Sequence, residues 1–356
     1  MPPAFLTSAD LRAQGLALSI GVAAGVCAFW VGLPLPWMLG PMIATTIAAM
    51  SHVPVRAPMR LRPIVIPIIG VLLGSSVTAQ VFGLLQNWVV TLVALPVFLA
   101  IASAVSFAVY RQIGGYDRVT AFYAAMPGGL NEMLIMGEQA GGDGRRIALA
   151  HAARILVVIV FVAMFFGLVL GVSSGARGAT QWIPLDALTG FDYAVLATCA
   201  VLGNWLGTRL GMPAAPVFGP MILSAAAHIA GVVTVSPPTV FIIAAQVTMG
   251  TIIGSRFAGA SIAQVGRDIA LAMVASAFML VVAVLFAIGI GWASGIPISQ
   301  AFLAYSPGGL TEMSLLTLAL DQDVTYVSVM HILRITFIIA VAPAIFRIWA
   351  GRSGNL

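Results

Sequence analysis

Residues 121–133 read AFYAAMPGGLNEM and residues 301–313 read AFLAYSPGGLTEM, one block carried twice at an offset of 180 (307 − 127, proline to proline). Across the windows 121–154 and 301–334 the identities are Ala121, Phe122, Ala124, Pro127, Gly128, Gly129, Leu130, Glu132, Met133, Asp143, His151 and Arg154, each matched 180 residues on. Shared hydrophobicity does not put Pro, Gly, Glu, His and Arg in one register. Working outward, Gly40-Pro41-Met42-Ile43 recurs as Gly219-Pro220-Met221-Ile222, and Gly70, Gly74 and Ser75 recur as Gly250, Gly254 and Ser255. The chain therefore reads as a duplicated half: 1–172 a first membrane repeat, 173–190 a linker and 191–356 a second repeat, together one integral membrane domain.

Composition sets the solvent. Of 356 residues 61% are hydrophobic and 8% charged, with mean hydropathy +1.07, whereas a soluble domain carries roughly 25% charged residues. All the basic residues are arginines, scattered through short segments, so no nucleic-acid patch forms and no direct nucleic-acid partner is expected. Cys27 and Cys199 sit in separate apolar runs and are expected to be core thiols. These cysteines and four histidines show no metal-ligand spacing, and no nucleotide fingerprint is present, so no cofactor is expected. The run 16–31 is followed by LPLPW, not a small-residue cleavage site, so no cleavable signal peptide is expected.

Apolar segments at 11–31, 36–50, 63–79, 85–109, 119–138 and 147–170 are followed by six more at 191–209, 214–232, 238–255, 269–293, 300–319 and 324–346. Arg12, Arg56, Arg60, Arg62, Arg111 and Arg118 put the N-terminus of the first repeat in the cytoplasm. In the second repeat Arg209, Arg256 and Arg267 reverse the sense, so the halves read as inverted. Inversion needs an odd number of crossings per half, and the PGG segment is the natural one to enter and leave on one side. Arg145, Arg146, Arg347 and Arg352 then stay inside, Asp321 and Asp323 lie outside, and Arg177 in the linker is the one misfit. The expected fold is an all-α polytopic membrane protein of two inverted-topology repeats. It has about ten spanning helices plus two re-entrant, broken PGG helices. Both termini are expected in the cytoplasm, in a bacterial inner membrane.

The chemistry is expected at the breaks. Pro-Gly-Gly removes a backbone donor and frees the dihedrals at Pro127, Gly128, Gly129 and at Pro307, Gly308, Gly309. Asn131 and Glu132, and Thr311 and Glu312, then fall in the first turn of the next half-helix, where anions are attracted and a carboxylate holds a proton or Na⁺. The plainer alternative is that both glutamates merely complement a helix dipole. His151 and Arg154, and His331 and Arg334, share helix faces three residues apart. The arginines are candidates to pair with the glutamates or a substrate anion, the histidines to relay protons. For Arg154 snorkelling to the interface is the competing role.

Paired PGGLNEM and PGGLTEM, each followed by His-x-x-Arg in a duplicated apolar chain, resemble the bacterial AbrB-type membrane protein family across essentially the whole sequence. Members are labelled membrane regulators of gene expression or ammonia monooxygenases. The resemblance implies an inner-membrane protein of two tandem modules. It does not imply DNA binding, because the small soluble transcription factors sharing the name show no similarity to this chain. Inverted halves with broken helices are also similar, at the level of fold alone, to cation–proton antiporters and anion symporters. The leading expectation is a secondary transporter, not an enzyme, moving a small solute, anions included, coupled to H⁺ or Na⁺ as one half rocks against the other. A membrane regulator acting through a partner is the alternative, and a monooxygenase the remote one. Expected partners are the lipid bilayer, the solute and, in a homo-oligomer, further copies of the chain.

Overall fold

The computed structural model describes residues 8–33, 35–79, 83, 85–166, 182–258, 262–320 and 322–352. Residues 167–181, which include Arg177 of the linker, and Asp321 lie outside the described residues. Among the described residues are fourteen α-helices and no strand, seven helices to each repeat. The first repeat gives α1 (Ser8–Trp30), α2 (Pro36–Met50), α3 (Arg62–Ser75), α4 (Val89–Ala108), α5 (Arg118–Ala125), α6 (Leu130–Gln139) and α7 (Gly144–Met164). The second gives α8 (Gly190–Arg209), α9 (Ala215–Ile229), α10 (Thr239–Gly254), α11 (Ile262–Ser294), α12 (Ile298–Tyr305), α13 (Leu310–Ala319) and α14 (Val324–Arg352). The twelve apolar segments become fourteen helices because each PGG segment is cut in two.

Among the described residues, ten of these helices lie outside the PGG segments. Six stretches, 9–30, 86–113, 144–164, 239–257, 266–294 and 324–348, are long and apolar enough to cross a membrane. The expected ten spans thus resolve into these six, three shorter apolar helices (α2, α3, α9) and α8, which carries Asp192 and Arg209 at its ends. At 14–15 residues, the short helices reach about 21–23 Å, less than the ~30 Å hydrocarbon thickness. Arg145 and Arg146, read as loop residues, stand on the first turn of α7, and Arg267 lies within α11.

The described chain separates into two compact units, and the division cuts across the repeats. Unit 1 is 1–78, 160–265 and 318–321; unit 2 is 79–159, 266–317 and 322–356. Each unit therefore takes equivalent helices from both halves.

Unit 1 is knit by the two small-residue motifs. A Cβ on Gly70 or Gly74 of α3 would strike the carbonyls of Val217 and Met221 in α9, and one on Gly250 or Gly254 of α10 would strike those of Met38 and Met42 in α2. The Gly-x-x-x-Gly pairs thus let helices of opposite repeats touch backbone to backbone. The Gly-Pro-Met motif supplies the other side: Pro220 faces Gly70 and Pro41 faces Gly250. Gly40 and Gly219 bring α2 onto Ala24 of α1 and α9 onto Gly203 of α8. Leu35 and Ala214, the residues before α2 and α9, both hold φ of 49°, so even the strained entry to these helices is duplicated. Cys199 is buried as expected, but Cys27 is exposed. The face of α1 that packs on α2 is the one carrying Gly21, Ala24, Gly25 and Ala28, and Cys27 is off it.

Unit 2 contains both PGG breaks, and both segments double back. Gly137 of α6 lies against Tyr123 of α5, Gly142 against Val119, and the Asp143 N–H donates to Thr120 Oγ1 at 2.8 Å. In the second repeat Ser299 Oγ donates to Gln322 Oε1 at 2.9 Å, at the positions equivalent to Val119 and Gly142. The ends of each segment therefore meet, which is the geometry of a helical hairpin and not of a crossing. Arms of 8 and 10 residues extend about 12 and 15 Å, half of an apolar slab of ~30 Å.

Candidate functional site

A helix ends with four carbonyls lacking intrahelical donors, and at each break proline makes one such vacancy obligatory. The Tyr123 carbonyl would accept from the N–H of residue 127, which is Pro127; that of Leu303 would accept from Pro307. His151 Nε2 takes the place of the first missing donor at 2.9 Å and His331 Nε2 that of the second at 3.0 Å. Three residues on, Arg154 Nη1 donates to the Met126 carbonyl at 3.0 Å and Arg334 Nη1 to that of Ser306 at 2.6 Å. The His-x-x-Arg motif is thus a side-chain ladder for the unravelled end of the preceding half-helix. Because Nε2 donates to a carbonyl, the network assigns the lone pair to Nδ1, and in His151 that lone pair faces Arg154 Nη2 at 2.9 Å. All four side chains are buried.

The second amino group of each guanidinium also serves the break: Arg334 Nη2 donates to the Gly308 carbonyl at 2.6 Å, and Arg154 Nη2 to His151 Nδ1 at 2.9 Å. Arg154 Nε, Arg334 Nε and His331 Nδ1 are buried without a hydrogen-bond partner.

Glu132 and Glu312 occupy the third position of α6 and α13, after Gly129 and Gly309, and both curl back over their own break. A Cβ on Gly129 or Gly309 would overlap Oε2 of that glutamate. Each carboxylate therefore lies over the first, amide-rich turn, where a negative charge is favoured. The surroundings differ. Asn131 and Glu132 are exposed, whereas Thr311 and Glu312 are 9% and 5% exposed, with Thr311 Oγ1 donating to Glu312 Oε2 at 3.2 Å. Pro127 is buried and Gly128 and Gly129 partly so; Pro307 and Gly308 are buried.

The long helices bring the two breaks together. Arg154 of α7 holds the first break, and Val158, one turn on, lies against Gly308 of the second. Arg334 of α14 holds the second break, and Ile338, one turn on, lies against Gly128 of the first. Arg154 and Arg334 are near enough for one charge to act on the other.

Val158 and Ile338 were not legible as site residues, because a Val and an Ile in apolar runs carry no signal beyond their equivalence at offset 180. Nor was the lock on the second hairpin, where Tyr305 Oη donates to the Thr91 carbonyl at 2.6 Å, and Thr91 Oγ1 and Tyr326 Oη share a bond of 2.9 Å. The equivalent positions of Tyr305, Thr91 and Tyr326 in the other repeat are Ala125, Leu271 and Arg146, so the repeat hides it. Near the first hairpin Tyr116 Oη donates instead to Asp268 Oδ1 at 2.9 Å, with Arg146 over the ring. Burial, then the Asp268 carboxylate, pushes the Tyr116 phenol well upward, which keeps it a donor.

The family model described as "Transition state regulatory protein AbrB" matches residues 37–350. Two relatives are each 26% identical: "Uncharacterized protein YhjN" of Bacillus subtilis (strain 168), over 93% of this chain and 91% of that one, and "Putative regulator AbrB" of Escherichia coli (strain K12), over 93% of each. Their names are those of a regulator and an uncharacterized protein, not of enzymes.

Proposed function

The chain belongs to the AbrB family, and from that premise we propose that it is an ion-coupled secondary transporter of a small solute, with an anion as the favoured class. The observation that carries the reading is the pair of broken hairpins joined across α7 and α14, each presenting a half-helix N-terminus with a carboxylate on it. Glu132 and Glu312 are the coupling carboxylates for H⁺ or Na⁺, and Asn131, Thr311 and the Gly-Gly backbones complete the site. Arg154 and Arg334 supply positive charge behind the breaks, and His151 and His331 fix where the breaks fall. The protein works in the bacterial inner membrane, with inverted repeats and both termini in the cytoplasm. A whole repeat is not the body that moves, since Gly70, Gly74, Gly250 and Gly254 tie the repeats backbone to backbone. Flux in proteoliposomes under H⁺ and Na⁺ gradients tests the assignment. Glu132→Gln and Glu312→Gln are each expected to abolish solute-driven ion movement, and retention of that movement in both variants overturns the coupling role.

A second reading rests on the relative named as a regulator: the same site serves as a sensor that signals through a protein partner. A stable partner whose capture from membranes depends on solute supports it, and solute-coupled ion flux by the purified chain alone speaks for transport.

A further inference from the structure

Unit 2 holds a cavity of about 430 Å³ between α4, the end of α5 and α14, lined among others by Leu99, Phe107, Phe122, Met126, Phe337 and Ile338. Its size falls within the ~300–1,000 Å³ of small-molecule sites, and its walls are almost wholly apolar. Two wall residues belong to the first break as well: the Met126 carbonyl accepts from Arg154, and Ile338 lies against Gly128. The cavity thus adjoins a polar end. There the first turn of α6 has amides without intrahelical partners, and Arg154, 4% exposed, keeps Nε–H uncommitted. What lies over that turn in this structure is the exposed Glu132 carboxylate.

Building on the transporter reading of the same site, we infer that the first break binds a monocarboxylate with a compact apolar body, and that Glu132 is its tethered competitor. The carboxylate of the ligand takes the place of the Glu132 carboxylate over the α6 amides, and its body fills the cavity. One negative charge replaces another over the α6 amides. A dianion would set its second charge against the apolar walls, which is costly. A small inorganic anion would leave the apolar walls unfilled. The second break, with Thr311 and Glu312 buried, is closed to ligand here, so binding is read at the first break alone.

The test uses the full chain purified in detergent, heated with benzoate, acetate or benzamide as probes. Benzoate is expected to raise Tm saturably, whereas acetate, a charge without the body, and benzamide, a body without the charge, leave it unchanged. Glu132→Gln removes the competing charge and is expected to lower the half-saturating benzoate concentration about two- to fivefold, the scale of an exposed charge at a helix terminus. Ala104→Phe fills the cavity from its exposed wall and is expected to abolish the benzoate response while Tm without ligand stays in place. No benzoate response, an equal response to benzamide, or an unchanged or weaker response in Glu132→Gln overturns the inference. A response that survives Ala104→Phe also overturns it and places benzoate elsewhere. Any of these results beside intact solute-driven ion flux leaves the transporter reading standing, whereas absence of coupled flux beside a positive benzoate result overturns that reading alone.

Discussion

His151 and His331 each complete a hydrogen bond that a proline made impossible, at carbonyls buried between half-helices. Deleting such a donor leaves an acceptor unsatisfied, at a cost of ~1–3 kcal/mol. His151→Ala and His331→Ala are therefore each expected to lower the unfolding midpoint in detergent, and His→Gln, which keeps an N–H donor, to lower it less. Asp117 shows a second, pH-dependent contribution. It caps α5 by accepting from the Thr120 N–H at 2.9 Å. Burial pushes its carboxyl up, but the hydrogen bonds from Thr120 and Val119 outweigh this and hold it below the usual carboxylate range. A depressed folded-state pKa means the contribution is whole above the ordinary carboxylate pKa and is lost as pH falls through the folded value. Denaturation midpoints measured across the acid range should fall less steeply for Asp117→Asn than for the parent chain.

At the scale of elements, the glycines of α3 and α10 decide which helices can touch. At Gly74 and Gly254 the obstacle to a side chain is a main-chain carbonyl, of Met221 or Met42, which cannot swing aside. Gly74→Ala and Gly254→Ala are expected to destabilise the protein by about 1–3 kcal/mol, whereas Gly15→Ala, with open space around it on α1, is expected to be neutral or to stabilise by about 0.5–1 kcal/mol. Thermal unfolding of the three variants side by side is the check. The sequence made the helices and breaks legible, because apolar runs and Pro-Gly-Gly act locally. It also pointed to the PGG segments as hairpins, through arginine placement. It did not say that α3 seeks α9 and α2 seeks α10, since a small residue states only that something comes close, not what. The role of His-x-x-Arg was equally hidden: spacing puts both side chains on one face of α7, but only the fold brings the Tyr123 and Met126 carbonyls opposite them. Exposed Asn131 beside buried Thr311 was not legible either, because a repeat predicts likeness and the difference comes from the packing around each tip.

For the whole molecule, the decisive feature is that each compact unit draws equivalent helices from both repeats. Separately expressed segments 1–172 and 191–356 are each expected to be degraded or to aggregate, and to be recovered as a folded complex when produced together. Co-purification through a tag on one segment measures this, and a stable, monodisperse single segment would count against it. The glycine contacts between the repeats are reciprocal. Gly70 and Gly74 meet the carbonyls of the second repeat as Gly250 and Gly254 meet those of the first, which is the signature of an interface between identical surfaces. Neither unit can be assembled from one repeat, so a lone half would need a second half to complete it. Carrying both in one chain makes that partnership permanent and lets its two sides differ, one tip exposed and the other buried.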